Sequence, residues 1–267
     1  MKNNDSIQLG IDGAVATLTL NRPQSLNSLN LDMTSRLRDV TEQMESDETI
    51  RVVVIQGAGE HFMAGGDIKW FHTALDYPAD ERRHLFERLL ADVHGSITRL
   101  RRMAKPVVAS VQGAVAGFGL SLMNACDLAI AADNSYFTLA YCHIGTTPDG
   151  GATYALPRIV GMKQAMEIAL LGDRFDAHRA LELGLVNRVV PLAELAEQTR
   201  IIADRLAQGP TAAYGRTKRL INESLNHSLA EQLQAEQDAF AASSVTADFA
   251  EGVSAFVTKR KPKFIGG

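Results

Sequence analysis

The chain has 267 residues, 46% hydrophobic and 22% charged, with a net charge of −4; that is enough for one large globular core. The acidic balance argues against a nucleic-acid binder working through a basic face. Two cysteines, Cys126 and Cys142, stand in no ligand spacing, and the seven histidines contain no H-x-x-x-H pair, so neither a disulfide framework nor a metal site is expected. The start, "MKNNDSIQLG", lacks the apolar stretch of a secretory signal. The longest apolar region, 106–123, is broken by Gln112 and glycines, so no membrane span is expected and a reducing, cytoplasmic setting is the default.

In chain order, Ile7, Leu9, Ile11 and then Ala16, Leu18, Leu20 alternate around Asp12-Gly13, the pattern of a β-hairpin. Met33, Leu37, Val40 and Met44 fall at helical spacing over 31–45. "RVVVIQG" (51–57) reads as a buried strand, followed by a glycine-containing loop at 58–67. Leu85, Leu89, Val93, Ile97 and Leu100 form one stripe of a long amphipathic helix over 79–103. Then come a buried strand at 105–113, a helix at 117–124 and strands at 127–133 and 136–139. Helices are expected over 151–157, 162–172 and 176–183, a strand over 186–191, and a helix over 192–208. Gly209-Pro210 marks a boundary, after which 211–225, 229–243 and 246–260 read as helical. The chain thus divides into an α/β core, 1–208, and an all-helical region, 209–267. A strand pair followed by a helix recurs along the core, without repetition of letters.

Three turns can carry chemistry. "AGGDI" (64–68) follows a strand, and its glycines leave backbone N–H groups uncovered by side chains. "GAVAGFGLS" (113–121) again follows a strand and opens a helix. It lacks the third glycine of a dinucleotide fingerprint, and Ser121 is not in a G-x-S-x-G elbow. Each alone reads first as a plain structural turn or tight helix–strand contact. The third, "HIGTTPDGG" (143–151), has favoured turn chemistry and carries Asp149. Together, two N–H donors aimed at one carbonyl oxygen would form an oxyanion hole, and a nearby carboxylate could move a proton at carbon α or γ to that carbonyl.

Here the chain resembles the crotonase (enoyl-CoA hydratase/isomerase) superfamily along essentially its whole length. The resemblance rests on "LNRPQSLNSLN" (20–30), "HFMAGGDIK" (61–69), "KPVVASVQGAVAGFGLSLMNACDLAIAAD" (105–133), "IGTTPDGGATYALPRIVG" (144–161) and "AFVTKRKPKF" (255–264), in that order. It implies an α/β fold, a spiral of β-β-α turns with a C-terminal all-helical region that packs trimers or dimers of trimers. It implies an acyl-CoA substrate, with coenzyme A entering as part of the thioester and no permanently bound cofactor. Carried over residue by residue, the oxyanion N–H groups fall on Gly66 and Phe118. Coenzyme-contacting backbone falls on Ser25, Leu26, Ala64, Asp67 and Ile68. Lys259 and Lys263 fall where basic residues approach a neighbouring subunit's CoA phosphates; the same run can equally be a solvated basic tail.

The chain departs from the hydratase pattern at two points. Where the resemblance places two glutamates, it has Ser121 and Tyr141. Asp149 remains, as in the epoxyphenylacetyl-CoA isomerase group, whose pattern is the best match and which by resemblance uses this Asp as proton carrier. Adding water needs one group to hold it and another to deliver a proton; moving a double bond needs one base that takes a proton from one carbon and returns it to another. The leading expectation is therefore an enoyl-CoA isomerase with Asp149 as base and acid. Tyr141 reads as a pocket wall rather than a donor. Ser121 either orients water or Asp149 or fills a small space. His143 reads as structural, and Trp70, Phe71 and the 79–103 helix as walls of the acyl pocket or plain core. The alternatives are a hydratase using Asp149, an acyl-CoA thioesterase, and a non-catalytic CoA-binding protein.

Overall fold

The computed structural model describes residues 6–267; the expectation of no leader rests partly on residues 1–5, outside the described ones. Strands β1 (Ile7–Asp12) and β2 (Val15–Leu20) form the expected hairpin, with Asp12 opposite Val15. Its two-residue turn is Gly13-Ala14, not Asp12-Gly13. Gly13 takes φ 55° at the first turn position, where the absence of a Cβ removes the penalty.

Helix α1 (Leu31–Ser46) is capped by Asn30, whose side chain accepts from the Met33 N–H, and buries Met33, Leu37, Val40 and Met44. At its far end the buried Lys105 ammonium donates to the Met44 and Asp47 carbonyls at 2.8 and 2.7 Å, where a cation suits both the orphan carbonyls and the helix dipole. Strand β3 (Val52–Gly57) follows, then α2 (Ile68–Ala74), a short helix that periodicity did not reveal, and α3 (Ala79–Arg102), whose buried face includes Leu89, Val93, Ile97 and Leu100.

The core then repeats a turn of two strands and a helix. Strands β4 (Val107–Val111) and β5 (Ala114–Ala116) precede α4 (Phe118–Ala125). Strands β6 (Leu128–Ala132) and β7 (Tyr136–Thr138), with a 3-10 turn at Tyr141–Ile144, precede α5 (Ala152–Val160) and α6 (Met162–Leu171). Strand β8 (Phe175–Asp176), α7 (Ala177–Glu182), β9 (Arg188–Val190) and α8 (Leu195–Ala207) complete the core. Here the expected helix 176–183 is shorter and preceded by a strand, and 192–208 opens with a 3-10 turn.

Each turn supplies both of two sheets. The larger runs β1-β2-β3-β4-β6-β9, parallel except for the hairpin; the smaller runs β5-β7-β8. An isolated bridge, Met63 to Val115, extends the smaller sheet one turn back. Advancing in the same order in both sheets is what makes the chain a spiral of β-β-α turns. Alternation along β3 sorts its side chains: Val53 and Ile55 enter the main core with Leu18, Phe62 and Phe137, while Val52 and Val54 face Leu195 and Ala203 of α8.

Helices α9 (Thr211–Glu223), α10 (Leu229–Ser244) and α11 (Ala247–Val257) follow, ending three residues before the expected helix end. They are tied to the core by buried polar contacts. Lys218 pairs with Asp127 at 2.8 Å and donates to the Leu100 and Lys105 carbonyls. Arg51 donates to Thr211 and to the Phe264 and Gly209 carbonyls. Among the described residues no helix is long and apolar enough to cross a membrane.

Candidate active site

The site begins where β3 leaves the sheet. Residues 61–67 run between two partners. Leu29 N–H donates to Gly65 O and Asp67 N–H to Leu29 O on one side; Met63 N–H and Ala116 N–H bond across to Ala114 O and Met63 O on the other. The 22–30 segment is itself braced. Asn27, fully buried with φ 55°, donates to the Ala58, His61 and Phe62 carbonyls and accepts from the Arg22 N–H.

The two glycine turns meet backbone to backbone. Gly65 takes φ 89° and Gly117 φ 52°. A Cβ on Gly65 would stand 3.3 Å from Ala116 O and 3.6 Å from Phe118 N; one on Gly117 would stand 3.4 Å from Gly65 Cα. Glycine at both positions lets the two backbones pack in direct contact, one residue before Gly66 and one before Phe118. Among the described residues neither N–H donates to a backbone carbonyl. Phe118 also opens α4, where the first N–H groups have no intrahelical acceptor.

Asp149 lies on the loop that closes over this turn. A Cβ on Gly150 would fall 2.8 Å from the Phe118 ring and 2.9 Å from Ser121 Cβ, so the loop packs directly on the second glycine turn. Ser121 Oγ donates to Asp149 O at 2.9 Å. Tyr141 Oη donates to Asp149 Oδ1 at 2.6 Å, which corrects the expectation that Tyr141 is only a wall: the 3-10 turn aims its hydroxyl at the carboxylate. Burial pushes the Asp149 carboxyl above the ordinary carboxylate range, with Tyr141 and His94 pulling it only partly back. Burial likewise raises the Tyr141 phenol, helped by the neighbouring carboxylate. Tyr141 therefore keeps its proton and Asp149 is the group of the pair that can exchange one.

His94 was not singled out from the sequence. It sits on the exposed side of α3, and its Nε2 accepts from the Gly150 N–H at 3.3 Å. His143, by contrast, lies against Gly172, where a Cβ would come 2.8 Å from its Nε2. Phe71 packs over Gly66, in an edge-on cluster with Trp70 and Phe86 at 5.0–5.6 Å between centroids.

The remaining candidates separate into two groups. Ser25 and Leu26 lie on a segment joined to that of Ala64, Asp67 and Ile68: Ala64 N–H donates to Leu26 O at 3.0 Å and Asp67 N–H to Leu29 O at 2.9 Å, and the Leu26 and Ile68 side chains are 43% and 52% exposed. The Asp67 carboxylate is occupied locally, capping α2 and pairing with Arg22 at 2.9 Å. Its burial acts upward, but Arg22 and the two α2 N–H groups outweigh it and hold the carboxyl below its usual range. Lys259 and Lys263 lie in the tail beyond α11; among the described residues neither bonds to the glycine turns or the Asp149 loop. Among the described residues no three His, Cys, Asp or Glu side chains converge as a metal would require.

The glycine turns carry two N–H groups without a backbone acceptor among the described residues, and the loop packed on the second turn carries a half-buried carboxylate of raised pKa; such groups suit proton transfer next to a carbonyl whose oxygen takes up negative charge. The family model for enoyl-CoA hydratase/isomerase matches residues 10–267. The chain is 38% identical over 256 residues to the 1,2-epoxyphenylacetyl-CoA isomerase of Escherichia coli, covering 96% of this chain and 97% of that one. It is 33% identical to the trans-2-decenoyl-[acyl-carrier-protein] isomerase of Streptococcus mutans, covering 97% and 98%, and 34% identical to a probable enoyl-CoA hydratase of Rhodobacter capsulatus, covering 98% of each. A solved enoyl-CoA hydratase structure from Polaromonas superimposes with a TM-score of 0.91 at 32% identity, covering 97% of this chain and 99% of that one. With the fold, the two glycine turns and these matches in agreement, the chain belongs to the enoyl-CoA hydratase/isomerase (crotonase) family.

Proposed function

We propose that the protein is an enoyl-CoA isomerase that shifts the double bond of an unsaturated acyl-CoA. The observation that carries this reading is Asp149, a raised-pKa carboxylate held by Tyr141 on a loop packed against Phe118 and Ser121, with no acid at positions 121 and 141. The Gly66 and Phe118 N–H groups hold the thioester oxygen. Asp149 takes a proton from one carbon, the electron pair passes into the thioester as an enolate, and Asp149 returns the proton to the other end of the conjugated system. The enzyme ends the cycle as it began, and the product is an isomer of the substrate. Ser121 holds the loop through the Asp149 carbonyl. The name of the trans-2-decenoyl-[acyl-carrier-protein] isomerase supports a double-bond shift, and that of the 1,2-epoxyphenylacetyl-CoA isomerase supports an isomerisation of an acyl-CoA.

Coenzyme A, as part of the substrate, runs along the backbone of Ser25, Leu26, Ala64, Asp67 and Ile68, with the exposed Leu26 and Ile68 against its base. Trp70, Phe71 and Phe86 wall the acyl chain. Residues 1–208 act as the catalytic core and 209–267 as the region that packs copies into a trimer or dimer of trimers in the cytoplasm. Phe256 at 87% and Val245 at 86% exposure are the kind of apolar surface such packing covers. Lys259 and Lys263 then face a neighbouring subunit's CoA phosphates.

The test is Asp149→Asn against a panel of 2-enoyl- and 3-enoyl-CoAs. Loss of a general base lowers kcat about 10²–10⁴-fold, while the Kd for a CoA thioester stays within about threefold. Undiminished turnover in the variant refutes the proposal. The second reading, a hydratase using Asp149 with Ser121 or Tyr141 to position water, is favoured by the probable hydratase among the relatives. It predicts that hydroxyacyl-CoA accumulates in the same panel.

A further inference from the structure

We propose that His94 is a positioning residue for the proton carrier: its imidazole accepts the Gly150 N–H and so holds the loop that presents Asp149. This rests on the reading of Asp149 as proton carrier. The Asp149 loop is clamped between two helices. On the α4 side it meets Phe118 and Ser121. On the α3 side it meets His94 and Ile97, three residues apart on one helix face: the Gly150 N–H reaches His94 Nε2 at 3.3 Å, and a Cβ on Gly151 would lie 3.8 Å from Ile97 Cγ2.

The loop's hydrogen bonds single out His94. Asp149 O is satisfied by Ser121 Oγ and the Ala152 N–H; the Gly150 N–H needs an acceptor, and His94 Nε2 is it. An accepting Nε2 carries no proton, so the neutral ring must be protonated at Nδ1.

Few other groups can intervene. The titratable groups that act on Asp149 are Tyr141 from the 3-10 turn and His94 from α3. From α4 the loop receives Ser121, and α5 starts at Ala152; neither titrates. The neighbours of His94 on its own helix at three and four residues, Leu90, Ala91, Ile97 and Thr98, carry no charge. Burial raises the Asp149 carboxyl and the His94 charge lowers it, so removing that charge shifts ionisation of Asp149 to higher pH.

The test compares pH profiles of kcat/KM for wild type, His94→Gln and His94→Ala. Glutamine offers an amide oxygen to the Gly150 N–H but no charge. Both variants are expected to move the acid limb to higher pH. The alanine variant also lowers the high-pH plateau about fivefold through the lost hydrogen bond, and glutamine restores it. A side chain with only a packing role would leave the acid limb in place. As a readout independent of turnover, ¹⁵N spectra of histidine-labelled protein at neutral pH are expected to show His94 protonated at Nδ1. Acid limbs that superimpose on wild type, or a His94 protonated at Nε2, overturn the assignment. Full turnover by Asp149→Asn instead refutes the proton-carrier reading, and the spectrum then decides the His94 hydrogen bond by itself.

Discussion

A single methyl group at Gly65 tests whether the meeting of the two glycine turns matters for chemistry. Gly65 holds φ 89°, so an alanine there carries strain of about 1–3 kcal/mol. Its Cβ would also press on Ala116 O at 3.3 Å and approach Phe118 N at 3.6 Å, which forces the turns apart by a few tenths of an ångström. Loss of one oxyanion donor costs about 10²–10³ in kcat; a displaced donor costs less, so Gly65→Ala is expected to lower kcat about 10–100-fold with KM within about threefold. The assay is steady-state kinetics on a 3-enoyl-CoA, following the absorbance of the conjugated thioester, with thermal unfolding alongside. Gly13→Ala is the control. Gly13 also has positive φ, 55°, but a Cβ there meets nothing within 4 Å, so this variant carries backbone strain of the same kind and leaves kcat alone. A folded Gly65→Ala protein with wild-type kcat refutes the oxyanion assignment, and an equal loss of kcat in Gly13→Ala refutes the argument from geometry.

Asp149→Asn is expected to stabilise the fold at neutral pH. The folded Asp149 carboxyl lies above its ordinary value of 3.8, so ionising it costs stability as pH rises through the folded value, and asparagine removes that cost. The gain in Tm over wild type should be largest near pH 8 and vanish below the ordinary value; a constant difference across pH contradicts the burial argument. Tyr141→Phe removes a hydrogen bond that lowers the Asp149 carboxyl, so the acid limb of kcat/KM should move to higher pH, and an unmoved limb contradicts the pairing. Lys218→Met leaves Asp127, already pushed upward by burial, without its partner. Denaturant unfolding should report a loss of about 3 kcal/mol, and a loss below about 1 kcal/mol would show the pair to be surface-like.

Much of the fold can be read from the residues because its signals are local. The stripe of Met33, Leu37, Val40 and Met44 becomes the buried face of α1, and 51–57 becomes a central strand. Residues 114–116 and 175–176 escaped notice because two- and three-residue strands have no period to detect; their order comes from partners at Tyr136–Thr138, far along the chain. The site was legible in the same uneven way. Gly65, Gly117 and Gly150 mark turns from their letters alone. That Tyr141 aims at Asp149 depends on a 3-10 turn without a sequence signature, and His94 reaches Gly150 across 56 residues from the polar side of an amphipathic helix. A histidine on such a face looks solvated until the loop is laid against it.

The central claim, that one carboxylate moves a proton and no water is added, is tested most directly by turnover of a 3-enoyl-CoA in H₂¹⁸O, with the products analysed by mass spectrometry. The account predicts a 2-enoyl-CoA that carries no ¹⁸O, formed by the wild type and lost in Asp149→Asn. Hydroxyacyl-CoA carrying ¹⁸O as the main product would contradict it.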